Sequence, residues 1–301
     1  MPNLSILEFP FNLGLTEPSP GQEPGVKLLP TWLKKHNFYT ILEPANVYTL
    51  TPPAYSMHID EESGVRNADA ISDYAIAQAG LLKKVINEKT FAVAIGGDCS
   101  ILIGNTLALK QLGNYALFFL DGHTDFAWVS MSASKGAAGM DLAIVTGHAH
   151  EKLGNILNNG PYIKEENVWS VGNRDFDERY MEVMNNSMIN YFDLNKLRAI
   201  GIENCCHSFL QMVTEKKLDG FWIHLDVDVL DDEIMPAVDS RAEGGMNYAE
   251  LKTILGILLD SDLGIGIEIT ILDPTLDPAG NYTKQFVWEI GQLIKDKKNI
   301  R

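Results

Sequence analysis

Two short apolar runs end abruptly in carboxylates, and no other feature of the chain constrains its fold as much. Residues 116–120 lead into Asp121-Gly122-His123-Thr124-Asp125. About 100 residues later, residues 221–225 lead into Asp226-Val227-Asp228. An apolar run this short reads as a strand buried on both faces. Charge left unpaired at the edge of a core costs on the order of several kcal/mol unless something balances it. The nearest lysines, Lys135 for the first motif and Lys216 and Lys217 for the second, lie too far along the chain to be local partners. Metal cations are the simpler answer. A set of oxygens plus one nitrogen suits Mn, Mg, Zn or Fe, with two ions sharing bridging carboxylates.

The rest of the chain alternates strand and helix signals. Strands are expected at residues 5–9, 91–95, 116–120, 168–171, 190–192, 221–225 and 266–271. Helices are expected at 26–36, 69–88, 100–112, 140–145, 177–184, 194–199, 202–216, 248–259 and 286–295, with Ser100 capping the third of these. A Pro/Gly-rich loop spans 17–24. This alternation predicts one α/β domain over residues 1–301, with a mainly parallel sheet covered by helices on both faces. Loops at the carboxyl ends of such strands bind ligands, so the two acidic motifs are expected to meet there.

Bulk properties exclude several classes. A net charge of −16 repels phosphate backbones, so nucleic acid is not an expected partner. No run approaches the roughly 18 apolar residues of a membrane span, and the N-terminus shows no secretory signal. Three cysteines, two of them adjacent at Cys205 and Cys206, make no disulfide framework. The expectation is a soluble, cytoplasmic protein.

Within the motifs, Asp121, His123 and Asp125 alternate and can converge on one point, as can Asp226 and Asp228. His224 shares their face. It reads as a satisfied core histidine in preference to a donor that orients a metal ligand. Gly96-Gly97-Asp98-Cys99-Ser100 follows a strand and opens a helix, a setting that lowers a thiol pKa and favours Cys99 as a thiolate ligand.

Taken together, these motifs resemble the ureohydrolase superfamily of arginase, agmatinase, formimidoylglutamase, guanidinobutyrase and relatives. Gly96 to Ser100 is similar to Gly-Gly-Asp-His-Ser, Asp121 to Asp125 to Asp-Ala-His-x-Asp, and Asp226 to Asp231 to Asp-x-Asp-x-x-Asp. Gly244-Gly245-Met246 and Val171-Gly172-Asn173-Arg174-Asp175 add two further matches. The resemblance implies a three-layer α/β/α sandwich with a mainly parallel eight-stranded sheet. It also implies two Mn²⁺ ions with a bridging hydroxide that attacks a guanidinium or amidine carbon. Asp121 and Asp226 would touch both ions, Cys99 and Asp125 would complete one position, and His123 and Asp228 the other. Asp125, with Asp121 and Asp226, would serve catalysis. Ser134, Asp177 and Glu268 fall where relatives contact substrate. A homo-oligomer, trimer or hexamer, acting on a small molecule is implied as well.

Three departures stand out. Cys99 replaces a ligand histidine, which opens the site to Zn²⁺ or Fe²⁺. Ala138 stands where relatives often carry a histidine, and His148 and His150 are the nearby alternatives. Ile271 falls where relatives anchor the guanidinium with a glutamate. A metal-binding scaffold without catalysis and a mononuclear-metal deacetylase on the same fold are the competing expectations.

Overall fold

A computed structural model describes residues 4–174 and 176–298; Asp175, the last residue of one motif above, lies outside the described residues. Eight parallel strands form one sheet. They are β1 (Leu4–Glu8), β2 (Asn46–Thr49), β3 (Phe91–Ile95), β4 (Tyr115–Leu120), β5 (Val168–Val171), β6 (Asn190–Phe192), β7 (Gly220–Asp226) and β8 (Gly264–Thr270), in the spatial order 2-1-3-8-7-4-5-6. The sandwich and the eight-stranded parallel sheet are therefore as expected.

Strand alternation splits the core in two. Phe91, Val93 and Ile95 of β3, Phe118 and Leu120 of β4, and Ile223 and Leu225 of β7 face one cluster. It is closed by α1 (Leu29–Lys35), α2 (Phe38–Leu42) and the C-terminal helices. Ala92, Ala94, Leu117, Phe119 and Trp222 face the other, under α3 (Ala68–Asn87) and α4 (Ile101–Leu112). Strands buried on both faces explain the unbroken apolar runs.

The differences are local. The unforeseen strand, β2, is an edge strand paired only with β1, and three of its four residues are exposed. It carries no apolar run to read. The helix expected at 26–36 is a 3₁₀ turn followed by α1, with Pro30 at the start of α1. The last helix begins earlier than expected, at Asn281, and passes through a π-turn at Val287–Gly291. Ser100 does not cap α4; Asp98 does the work nearby, accepting from the Ser100 amide at 2.9 Å and from the Gly14 amide at 2.8 Å. Among the described residues, no helix is long and apolar enough to cross a membrane.

Register places the motifs side by side. Leu120 pairs with Leu225, so Asp121 and Asp226 leave adjacent strands at the same level. Asp226 pairs with Thr270, and Ile269 with Ile95, which brings the β3–α4 turn alongside.

Candidate metal centre

The β3–α4 turn needs its glycines. A Cβ on Gly97 would lie 1.5 Å from the Phe11 carbonyl oxygen, so only glycine lets the chain pass there and deliver Cys99 to the end of the sheet. The Cys99 thiol points at Asp226, with Sγ 2.8 Å from Oδ2, and lies 3.2 Å from the Thr270 hydroxyl.

The two acidic motifs interlock. The Gly122 amide donates to Asp228 Oδ1 at 3.0 Å, the His123 amide to Asp121 Oδ1 at 2.6 Å, and the Asp228 amide to Asp226 Oδ1 at 2.8 Å. His123 Nδ1 sits 2.8 Å from Asp228 Oδ2 and 3.7 Å from Asp121 Oδ1. Among the described residues two groupings result, each with donor atoms within 4.8 Å of one another: Cys99, Asp121, His224 and Asp226; and Asp121, His123 and Asp228. Asp121 belongs to both.

Cys99, His123, Asp226 and Asp228 of these groupings line a cavity of about 380 Å³, with Asp125, Ser134, Ala138 and Ile271; Asp121 and His224 lie buried behind that lining. Asp125 stands in the left-handed region, at φ 42°, and is not part of either grouping. Ser134 presents its hydroxyl beside that of Ser132, at 3.2 Å. Asp239, Ser240 and Tyr180 line the cavity too; no motif distinguished them in the sequence, because they come from loops and a helix end brought in by the fold.

The electrostatics are those of an acid cluster short of positive charge. Burial, then the Asp228 charge, pushes Asp121 and Asp226 above the ordinary carboxylate range, and burial with Asp121 does the same for Asp125. Against the cost of burial, His123 draws Asp228 below its usual value, and Asp228 and Asp121 pull His123 up. The expectation that a helix start lowers the Cys99 pKa fails: burial, then the Asp226 charge, pushes the thiol well up. Asp121 Oδ2 and His224 Nε2 are buried with no hydrogen-bond partner. Buried polar atoms are ordinarily satisfied, so these two, beside carboxylates crowded together, fit a site that holds cations. The donors suit divalent metals: oxygens and an imidazole in one grouping, with a sulfur added in the other.

The remaining residues fall elsewhere. Glu268 does not line the cavity. It is fully buried on β8, joined to His224 Nδ1 and to the Asn105 side-chain amide. Asp177 caps α7 (Glu178–Asn185), accepting from the Arg179 amide at 2.9 Å and pairing with its guanidinium, which lowers its carboxyl to about 2. His148 pairs with Glu165 and stacks on Trp128, while His150 accepts from the Lys152 amide. Neither histidine lines the cavity. Two buried groups escaped the sequence reading. One is Asp141, with neither carboxylate oxygen partnered. The other is the free nitrogen of His224, which a satisfied core histidine would not have.

A family model described as the arginase family matches residues 5–293. An arginase from Bacillus subtilis (strain 168) is 31% identical over 79% of each chain. An arginase from Brevibacillus brevis is 28% identical over 98% of each. In structure, the native arginase of Bacillus caldovelox at pH 5.6 superposes with a TM-score of 0.86 over 98% of both chains, at 24% identity.

Proposed function

The chain belongs to the arginase family, and from that premise we propose that it hydrolyses a non-peptide C–N bond in a small guanidino or amidino compound, using divalent cations. The observation that carries this reading is the convergence of Asp121, His123, Asp226 and Asp228 from two adjacent strand ends, with His123, Asp226 and Asp228 lining one cavity. Relatives named as arginases lend it the reaction class. Divalent cations, held by Asp121, His123, Asp226 and Asp228, would supply the chemistry of lowering the pKa of a water toward neutral.

The protein's own groups do the rest. Asp125 lies in the same loop as Asp121 and His123 and lines the cavity, and burial together with the Asp121 charge holds its carboxyl above the ordinary range. That suits it to take the proton released as the nucleophile adds to carbon and to pass it to the leaving nitrogen. A cationic head group entering the cavity meets Asp125 and Asp239, whose oxygens match the planar N–H donors of a guanidinium. Ser134 and Ser240 offer hydroxyls for the substrate's tail. Ile271 and Ala138 add apolar surface to the cavity lining, which suits the hydrocarbon stem of such a substrate. The working form is a cytoplasmic homo-oligomer, a trimer or hexamer, loaded with two Mn²⁺ or, through Cys99, with Zn²⁺ or Fe²⁺.

The test is a panel of guanidino, amidino, ureido and acetylated-amine substrates, supplied to protein reloaded with Mn²⁺, Zn²⁺ or Fe²⁺, with urea, ammonia and acetate measured. Urea or ammonia release that needs added metal, and that Asp121→Ala lowers by at least about 100-fold, is the expected result. A fully loaded protein that turns over nothing would favour the non-catalytic scaffold. Acetate release would favour the deacetylase.

A further inference from the structure

We propose that His224 supplies the imidazole of the first metal position, so that its donors are Cys99 Sγ, His224 Nε2, Asp121 and Asp226. This assignment rests on the metal-dependent reading above. Position 99, on the loop after β3, offers sulfur where the resemblance implies an imidazole. An imidazole is nevertheless present, on β7, two residues before Asp226.

The surroundings of His224 are those of a metal ligand. The ring is fully buried, and its Nδ1 is held by Glu268. The second oxygen of Glu268 accepts from Asn105, and the Asn105 carbonyl accepts from Gln78 at 2.8 Å. Phe119 stacks on the ring at 4.4 Å with the planes 7° apart, which fixes its tilt. A carboxylate on Nδ1 selects the tautomer with the proton on that nitrogen and turns the Nε2 lone pair toward the cluster. Carboxylate, imidazole and metal in series is the usual support for a ligating histidine.

Distance points the same way. Nε2 lies 3.9 Å from Asp121 Oδ2. That is too long for a hydrogen bond, yet neither atom has any other partner. All four donors, Cys99, Asp121, His224 and Asp226, have atoms within 4.8 Å of one another, near enough to share one cation after modest side-chain adjustment. A histidine serving only to fill the core would have both nitrogens satisfied.

The donor set then has a chemical consequence. One thiolate, one imidazole and two carboxylates make a softer position than Asp121, His123 and Asp228 alone. The first position prefers Zn²⁺ or Co²⁺ over Mn²⁺, and the second keeps the hard-ion preference.

The experiment is Co²⁺ and Zn²⁺ titration of the full chain after chelator treatment, followed by absorption, calorimetry and proton NMR. Wild type is expected to show a sulfur-to-cobalt charge-transfer band that Cys99→Ser abolishes. His224→Phe, which keeps the ring stack, is expected to weaken Zn²⁺ at the first position by about 100-fold, and Glu268→Gln by about 10-fold as a positioning residue. Mn²⁺ at the second position should be little changed in both. His224→Phe binding Zn²⁺ like wild type would overturn the assignment. If that variant does not fold, wild-type NMR decides. The Nδ1 proton of His224, buried against Glu268, should appear as a slowly exchanging, cobalt-shifted resonance. His123 lines the cavity and is partly exposed, so its ring proton should exchange fast. Absence of the shifted resonance in cobalt-loaded protein overturns the proposal. These readouts do not depend on turnover: a cobalt-shifted His224 resonance with no hydrolysis sinks the proposed activity alone, and hydrolysis without that resonance sinks the assignment of His224 alone.

Discussion

Asp141 begins α5 (Asp141–Val145) fully buried, with neither carboxylate oxygen partnered. Burial, then the charges of Asp125 and Asp121, pushes its carboxyl well above the ordinary value. In metal-free protein the folded form therefore holds its proton to higher pH than the unfolded chain, which releases it once pH passes the usual carboxylate range. The folded state then binds more protons than the unfolded one, and stability falls as pH rises from that range toward the raised folded value. Asp141→Asn, uncharged and of the same shape, escapes this loss. Chelated Asp141→Asn should be more stable than chelated wild type at pH 7 by about 1.4 kcal/mol for each tenfold gain in proton affinity, and the two should converge toward pH 4. Urea unfolding at both pH values reads this, and equal stabilities at pH 7 would count against a buried, neutral Asp141. Such a residue was not legible in the sequence, because an aspartate at a helix start ordinarily reads as a solvated cap. His224 was obscured for a similar reason: alternation gives the face of a side chain but not whether its second nitrogen finds a partner. Asp121, His123, Asp226 and Asp228 were legible because carboxylates directly after an apolar run have few inexpensive explanations.

At the scale of elements, the β3–α4 turn is the most exacting join. Phe11 runs so close to Gly97 that the Phe11 carbonyl would collide with any side chain. The same carbonyl accepts the Asp98 amide at 3.1 Å, and the Ile271 amide donates to the Gly97 carbonyl at 2.8 Å. Gly97→Ala must therefore shift backbone on two sides, at a cost of about 3 kcal/mol or more. It should lower the Tm in the presence and absence of metal alike. A Tm within a degree of wild type would mean that the N-terminal segment yields freely. The same turn shows how far elements can be read from a sequence. Strands buried on both faces were visible as apolar runs, and long helices by their period. The β4–β7 pairing that sets Asp121 beside Asp226 was expected only from the general rule for strand ends, since the partners lie far apart along the chain and β5 and β6 intervene. Edge strand β2 buries too little to leave a pattern.

Across the whole molecule, the net charge of −16 acts together with the cavity acids. Cations bound among Asp121, Asp226 and Asp228 would compensate part of the local excess and leave Asp239 at the cavity acidic. A cationic substrate is then drawn from solution toward the cavity, and the attraction works on the approach rather than on the bond-breaking step. Raising ionic strength from about 0.01 to 0.15 M shortens the screening length from about 30 to 8 Å. For a guanidinium substrate this should lower kcat/KM several-fold and leave kcat unchanged, because a bound substrate is already past the screened distance. For an uncharged ureido analogue of the same length, kcat/KM should not move. Steady-state kinetics on both substrates across that salt range, with chloride as the only added anion, separates steering from general salt effects. Equal losses for the charged and the neutral substrate would show that the acidity of the chain serves solubility alone, and that recognition of the cation begins only inside the cavity.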